Sequence, residues 1–290
     1  MPAKNIIVTG ATGRQGRAFI HALFTPSNAN GPIDSSYHIW AVTRNTAASA
    51  ASQLLQTEQS HANNITIIQG DLNDAARIKE IFAEVAAQGG IFGAFIVLAY
   101  PGLGNKSEEE ERQGKMLADL ALEFKVDALV YSSTIPPGPD LDDAFDASHR
   151  AKREIELYCK GLGERGLNWT IVRPGFFMEN FDGFIGSLAV AILSQGLKNE
   201  TDIALVASED IGKVAAGVFQ NMPAVPAIFA WLILKLSAGA QHMIKEIERN
   251  YNVRVSGGYP TFEEEVESAK AICELQPYRT WLLKQKEMSS

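Results

Sequence analysis

At 290 residues with 46% apolar content, the chain is long enough to bury a large core as one α/β domain with a modest appendage. Its formal charge of -8 and pI near 5.2 exclude an unaided electrostatic hold on DNA, RNA or an anionic membrane, because those surfaces are gripped by basic patches. Two cysteines, Cys159 and Cys273, stand far apart without metal-like spacing and are read as inert thiols of a reducing compartment.

The opening Met-Pro-Ala-Lys-Asn lacks the charged head, apolar stretch and small-residue cleavage site of a secretory signal, so the cytosol is the expected location. Residues 6–8 form a first strand, and 15–24 a helix with Phe19, Ile20 and Leu23 on one face. Residues 25–36, rich in Pro, Ser, Asn and Gly, read as an extended loop before a second strand over 38–42. A third strand over 65–69 precedes a helix over 74–88, whose Ile78, Ile81, Phe82 and Val85 recur at helical spacing. Residues 93–98 are a fourth strand. The acidic run 107–111 opens the next helix as a solvated first turn, where carboxylates favour the positive end of the dipole. A fifth strand over 128–132, a helix over 147–160 and a sixth strand over 169–172 end at Arg173-Pro174-Gly175. Beyond this point helical stretches dominate, over 184–193, 210–220, 228–251 and 261–286. The greasiest of them, 227–236, contains Lys235 and is too short to cross a bilayer, so it reads as a buried helix.

Strands alternating with helices in this rhythm predict a Rossmann-type, doubly wound parallel sheet. Residues 1–175 would form the dinucleotide-binding core. Residues 176–290 would add a small, mostly helical substrate or lid region in the same domain or a small subdomain.

The first strand runs into Gly10-Ala11-Thr12-Gly13-Arg14-Gln15-Gly16, a GxxGxxG turn that opens a helix. Gly10 permits the tight turn, Gly13 removes a side chain that would strike phosphates, and Gly16 lets the helix lie close on the sheet. Backbone amides and the helix dipole then favour a pyrophosphate, with Thr12, Arg14 and Gln15 around it. After the second strand an NAD site places Asp or Glu for the ribose hydroxyls, but this chain has Thr43 and Arg44. A guanidinium pairs with a 2′-phosphate that a carboxylate would repel, so the expected cofactor is NADP(H).

Taken together, IIVTGATGRQG, AVTRN, QGDLND, VYSST, HRAKREIE and IVRPGFFMENF resemble the NmrA-like family, atypical members of the short-chain dehydrogenase/reductase superfamily, in its fungal form. The resemblance covers most of residues 4 to 220. It implies that Asp71 and Leu72 border the adenine, and that Ala99, Tyr100 and Pro101 line the nicotinamide ribose. Ser132, Ser133 and Thr134 would occupy the place of the superfamily's catalytic serine. Lys152 would bind the nicotinamide ribose and lower a neighbouring pKa. Pro174, Phe176, Met178 and Asn180 would face the nicotinamide and the substrate.

Two departures bear on activity. The superfamily's proton donor is a tyrosine four residues before the lysine, and here that residue is Ser148, a poor general acid. His149 shares the helix face and can relay a proton near neutral pH; Tyr131 and Tyr158 lie at the wrong spacing. After Gln220 the chain also lacks a further strand and helix that family members carry, although 278–282 resembles the family's closing aromatic segment.

Two main functions follow from the resemblance. One is a reductase that passes hydride to a carbonyl or an activated double bond of a small molecule, such as a polyketide, peptide-derived or quinone-like compound. Its proton would come from Lys152, Ser133, His149 or water. The other is a non-catalytic sensor of NADP(H) redox state that contacts a transcription factor or enzyme, in the cytoplasm or nucleus. A folded but inert paralogue is the third reading.

Overall fold

Ile6, Ile7 and Val8 are buried to within 1%, on both faces of their strand, which is how a central strand of a parallel sheet reads. The computed structural model describes residues 3–25, 36–100, 107–134, 147–182, 186, 205–221 and 230–231. In it β1 (Lys4–Val8) pairs in parallel with β2 (Tyr37–Thr43) on one side and β4 (Gly93–Ile96) on the other. β3 (Ile65–Gln69) lies outside β2, and β5 (Ala128–Ser132) and β6 (Trp169–Arg173) continue beyond β4. β7 (Phe176–Phe177) and β8 (Leu205–Val206) form a separate two-stranded ladder. The two-residue β9 (Ala230–Trp231) adds to β6, giving the order β3-β2-β1-β4-β5-β6-β9. The order reverses between β1 and β4, and that switch point opens a crevice beyond the strands' carboxyl ends.

Two apolar layers sandwich the sheet. On one face α1 (Arg14–Phe24) packs beside the helix Ser208–Gln220, over a core that includes Phe19, Phe95 and Phe219. The ring of Phe19 sits 4.6 Å from Phe95 and 5.5 Å from Phe219. Gly212 makes the helix contact close, since a Cβ there would meet the Phe19 amide at 2.6 Å. On the other face α3 (Ala75–Ala86), α4 (Glu108–Glu123) and α5 (Ala147–Gly163) cover Ile78, Phe82, Leu117, Leu129 and Ile155. The Ser208–Gln220 helix is α6.

All six predicted strands are present, and β3 and β5 have the predicted bounds. The helix α2 (Ser49–Thr57) carries no sequence signal of comparable strength. Only Ala51 and Leu54 are buried along it, and two apolar anchors make no periodicity. The predicted buried helix over 227–236 needs correction, because Ala230–Trp231 is a strand paired with Val172 and Arg173. A short apolar run cannot be divided between helix and strand by periodicity, and the open edge of β6 supplies the hydrogen bonds that decide it. The solvated reading of the acidic run also fails at one position, since Glu110 is only 3% exposed. The helices expected over 184–193 (except Gly186), over the rest of 228–251 and over 261–286, the loop 26–35, Cys273 and the segment 278–282 lie outside the described residues. Among the described residues no helix is long and apolar enough to cross a membrane.

Candidate functional site

The glycine turn sits at the switch point. Gly10 adopts φ +60°, where other residues are strained, and a Cβ there would lie 3.1 Å from the Val97 carbonyl. The Gly13 amide donates to Gly10 O at 2.9 Å, and a Cβ on Gly16 would press into the Ala11 backbone at 2.6 Å. Thr9 clamps the two central strand ends: its hydroxyl donates to Val97 O and accepts from Val97 N, both at 2.9 Å. Gly13 is the N-cap of α1 and contributes no side-chain cap, so the first amides of the helix face the crevice with their dipole. Arg14 and Gly13 are exposed and Thr12 and Gln15 half-buried. Such a cradle suits a pyrophosphate: no Cβ obstructs Gly13, and the open amides and the Arg14 cation are the donors an anion needs.

Toward β2 and β3 the site is open. Arg44 follows β2 with an exposed side chain, while its carbonyl accepts from Gln69 Nε2 at 3.3 Å. Gly70 N donates to Thr43 O at 3.0 Å, keeping the two strand ends level. Asp71 is exposed and Leu72 half-buried, in a turn where Asp71 Oδ1 accepts from Asn73 N at 2.9 Å. Asn73 Oδ1 in turn accepts from Arg112 at 2.8 Å and Gln113 at 2.9 Å, which moors this turn to α4.

Toward β5 the site is closed and charged. Strand alternation sends Ser132 and Ser133 to opposite faces of the sheet. The Ser132 hydroxyl donates to Gln15 Oε1 at 2.6 Å, joining β5 to the glycine turn. Ser133 belongs to the face of α4 and α5, where its hydroxyl is buried near the Tyr131 phenol. On α5, Ser148 donates to Glu110 Oε2 at 2.9 Å and the Lys152 ammonium pairs with Glu110 Oε1. The Glu110 side chain is 2% exposed and that of Lys152 14%. His149, half-buried, follows Ser148 in the same turn. Arg173, at the end of β6, holds Glu156 of α5 through Nε at 2.9 and 3.0 Å and through Nη2. Tyr131 lies wholly buried on the same side, and burial, reinforced by the Glu110 charge, pushes its phenol well above the usual range.

The remaining predicted residues divide. Ala99 and Tyr100 are exposed beyond β4, whereas Pro101 lies outside the described residues. Pro174 is buried, and Phe176 and Met178, 5% and 3% exposed, are packed into the core. Phe176 packs there against the Phe181 ring at 5.6 Å. Asn180 stays half-buried and accepts from Arg14 Nη1 at 3.4 Å, so the glycine turn touches the segment after β7. Glu179 accepts the Ser208 amide at the start of α6 at 2.7 Å, and burial raises its carboxyl. Glu110 is the residue that sequence reasoning missed. Its signal was present as Ser107-x-x-Glu110, a capping-box spacing, but Ser107 forms no side-chain cap and the carboxylate turns to α5 instead.

Among proteins of known sequence, an NmrA-like family domain-containing oxidoreductase from Penicillium ochrochloron is 26% identical over 187 residues, 61% of this chain and 48% of that protein. The match therefore spans about half the length of that curated relative. A crystal structure of NmrA, a negative transcriptional regulator, superposes with a TM-score of 0.63 at 18% identity, covering 96% of this chain and 94% of that one. The NADPH complex of a quinone oxidoreductase from Escherichia coli gives 0.60 at 18% identity, over 97% and 99% of the two chains. The NADP(H) complex of triphenylmethane reductase from Citrobacter gives 0.61 at 15% identity, over 95% and 98%. At these identities the structures speak for the fold. The model of the NmrA-like family matches residues 2–245, and the chain belongs to that family.

Proposed function

We propose that the chain is an NADP(H)-dependent oxidoreductase that holds its dinucleotide along the carboxyl edge of the sheet and exchanges hydride with a carbonyl or an activated double bond. The observation that carries this reading is the uncapped start of α1 behind Gly13, with Arg14 exposed in its first turn and Arg44 exposed just after the neighbouring strand β2. The strand order supports a division of the site into two halves. β2 and β3 lie on one side of the glycine turn, so Arg44, Asp71 and Leu72 take the adenosine and its 2′-phosphate. β4 and β5 lie on the other, so Ala99, Tyr100 and Lys152 take the nicotinamide riboside.

The cofactor supplies the hydride when bound, while the chain binds, orients and shields. Lys152 gives one N–H to Glu110 and keeps two for ribose hydroxyls. Ser148 is engaged with Glu110 and Ser133 is buried, so the proton is assigned to solvent or to His149, whose imidazole can relay one near neutral pH. The relative from Penicillium ochrochloron is named an oxidoreductase, which supports the class of reaction and leaves the acceptor open.

A second reading has its own observation. Both positions of the superfamily's proton-transfer dyad close on an internal carboxylate, and the regulator NmrA overlaps nearly the whole chain. On this reading NADP(H) binding changes the surface offered to a regulated protein partner. The two are separated by mixing the protein with NADPH and a panel of quinones, enones and ketones, after fluorescence titration has established binding. Consumption by the wild type and none by Lys152→Ala supports the oxidoreductase. Tight binding without consumption across the panel overturns it in favour of the sensor.

A further inference from the structure

Ser148 and Lys152 stand one turn apart on α5 and reach the same acceptor on another helix. Glu110 is the third residue of α4, behind Ser107 at the N-cap. A glutamate there normally reaches back to cap its own helix. Here both of its oxygens are taken across the helix interface, and the Ser107 hydroxyl is left buried without a hydrogen-bond partner among the described residues. The α4–α5 contact that permits this is tight: a Cβ on Gly114 would meet Ile155 Cγ1 at 2.6 Å. Arg173 and Glu156 fix α5 against the end of β6 from the other side.

A lysine has four rotatable side-chain bonds, so a free ammonium must be ordered each time it meets a ligand; one held by a buried carboxylate is ordered beforehand. We propose that Glu110 is a positioning residue that holds the Lys152 ammonium in one orientation at the nicotinamide end of the dinucleotide site, with Ser148 as the anchor of Glu110 and not a proton donor. This rests on the NADP(H) reading above. The burial of Tyr131 agrees with it, because a wholly buried phenol does not reach a substrate and so does not stand in for the tyrosine that Ser148 replaces.

The test compares NADPH with 2′,5′-ADP, which has the phosphorylated adenosine end and lacks the nicotinamide riboside. Affinities are measured by calorimetry for wild type, Glu110→Gln, Lys152→Met and the double variant. Glu110→Gln is expected to weaken NADPH roughly tenfold, as for the loss of one charge-assisted hydrogen bond, and to leave 2′,5′-ADP within about twofold. The double variant is expected to bind NADPH no more weakly than Lys152→Met alone, since two residues acting through one contact are not additive. Equal losses for both ligands, multiplied losses in the double variant, or unchanged or tighter NADPH binding by Glu110→Gln would each overturn the proposal while leaving the dinucleotide site standing. A wild type that binds neither ligand overturns the NADP(H) reading and this proposal with it. Where Glu110→Gln does not fold, Glu110→Asp keeps the charge but draws it back by one methylene, and the same split between the two ligands is expected of it.

Discussion

The two ends of the crevice are built by opposite means. At the β2–β3 end the polar groups are exposed, and bonds between adjacent strand ends and within a turn hold them: Gly70 to Thr43, Gln69 to Arg44, Asn73 to Asp71. At the β5 end the charges are buried and bonded across elements 38 to 42 residues apart, as Ser148 and Lys152 are to Glu110. The first arrangement leaves cations ready for a ligand that brings its own negative charge. The second uses an internal carboxylate, so its lysine is neutralised before any ligand arrives. Substitution should therefore act mainly on affinity at the open end, and on stability as well as affinity at the closed end.

The largest expected effect is on the closed side. Glu110→Ala strands a buried ammonium and should cost about 3–5 kcal/mol of unfolding free energy, read by denaturant titration. Adding Lys152→Met should restore most of it, whereas a loss near 1 kcal/mol would mean that water already screens the pair. On the open side Arg44→Glu should weaken NADPH by roughly 10- to 100-fold through loss of a charged contact and repulsion of the 2′-phosphate. Unfolding of that variant should stay within about 0.5 kcal/mol of wild type; a large stability loss with intact binding would invert the comparison. Asn73→Ala removes the acceptor that joins the β3 turn to Arg112 and Gln113 and should cost about 1 kcal/mol with a small loss of NADPH affinity.

The smallest effect concerns Cys159, 1% exposed on the buried face of α5. Burial pushes its thiol up to about 12, so the folded state favours the neutral thiol. That contribution is complete below the unfolded thiol pKa of about 8.5 and is lost as the pH rises through it toward the folded value. The stability gap between wild type and Cys159→Ala should accordingly narrow above about pH 9; a gap that stays constant to pH 10.5 would show that the thiol is not shielded.

Much of the fold was legible because parallel strands buried on both faces read as short continuous apolar runs, and GxxGxxG between strand and helix has few other uses. The positions of Thr43, Arg44 and Asp71 in the fold were legible for the same reason: Thr43 ends β2, Arg44 follows it and Asp71 stands two residues beyond β3, so chain neighbours set their placement. α2 escaped because Ala51 and Leu54 alone anchor it, and 230–231 was misassigned because the edge of β6, and no periodicity of its own, makes it a strand. Phe176 and Met178, expected at the pocket, lie buried in the apolar layer that includes Phe19 and Phe219, a placement that no periodicity of so short a segment announces.

Glu110 marks the boundary between what sequence and structure decide. The sequence by itself determined that an acidic turn opens α4, that Ser148 stands where a tyrosine is usual, and that Lys152 follows one turn later. These are consequences of local spacing and of residue chemistry. Only the tertiary structure decided which of the four consecutive glutamates is buried and which way it faces, because that depends on how closely α4 and α5 approach over Gly114 and on the desolvation that makes a buried carboxylate require a cation and a hydroxyl at once.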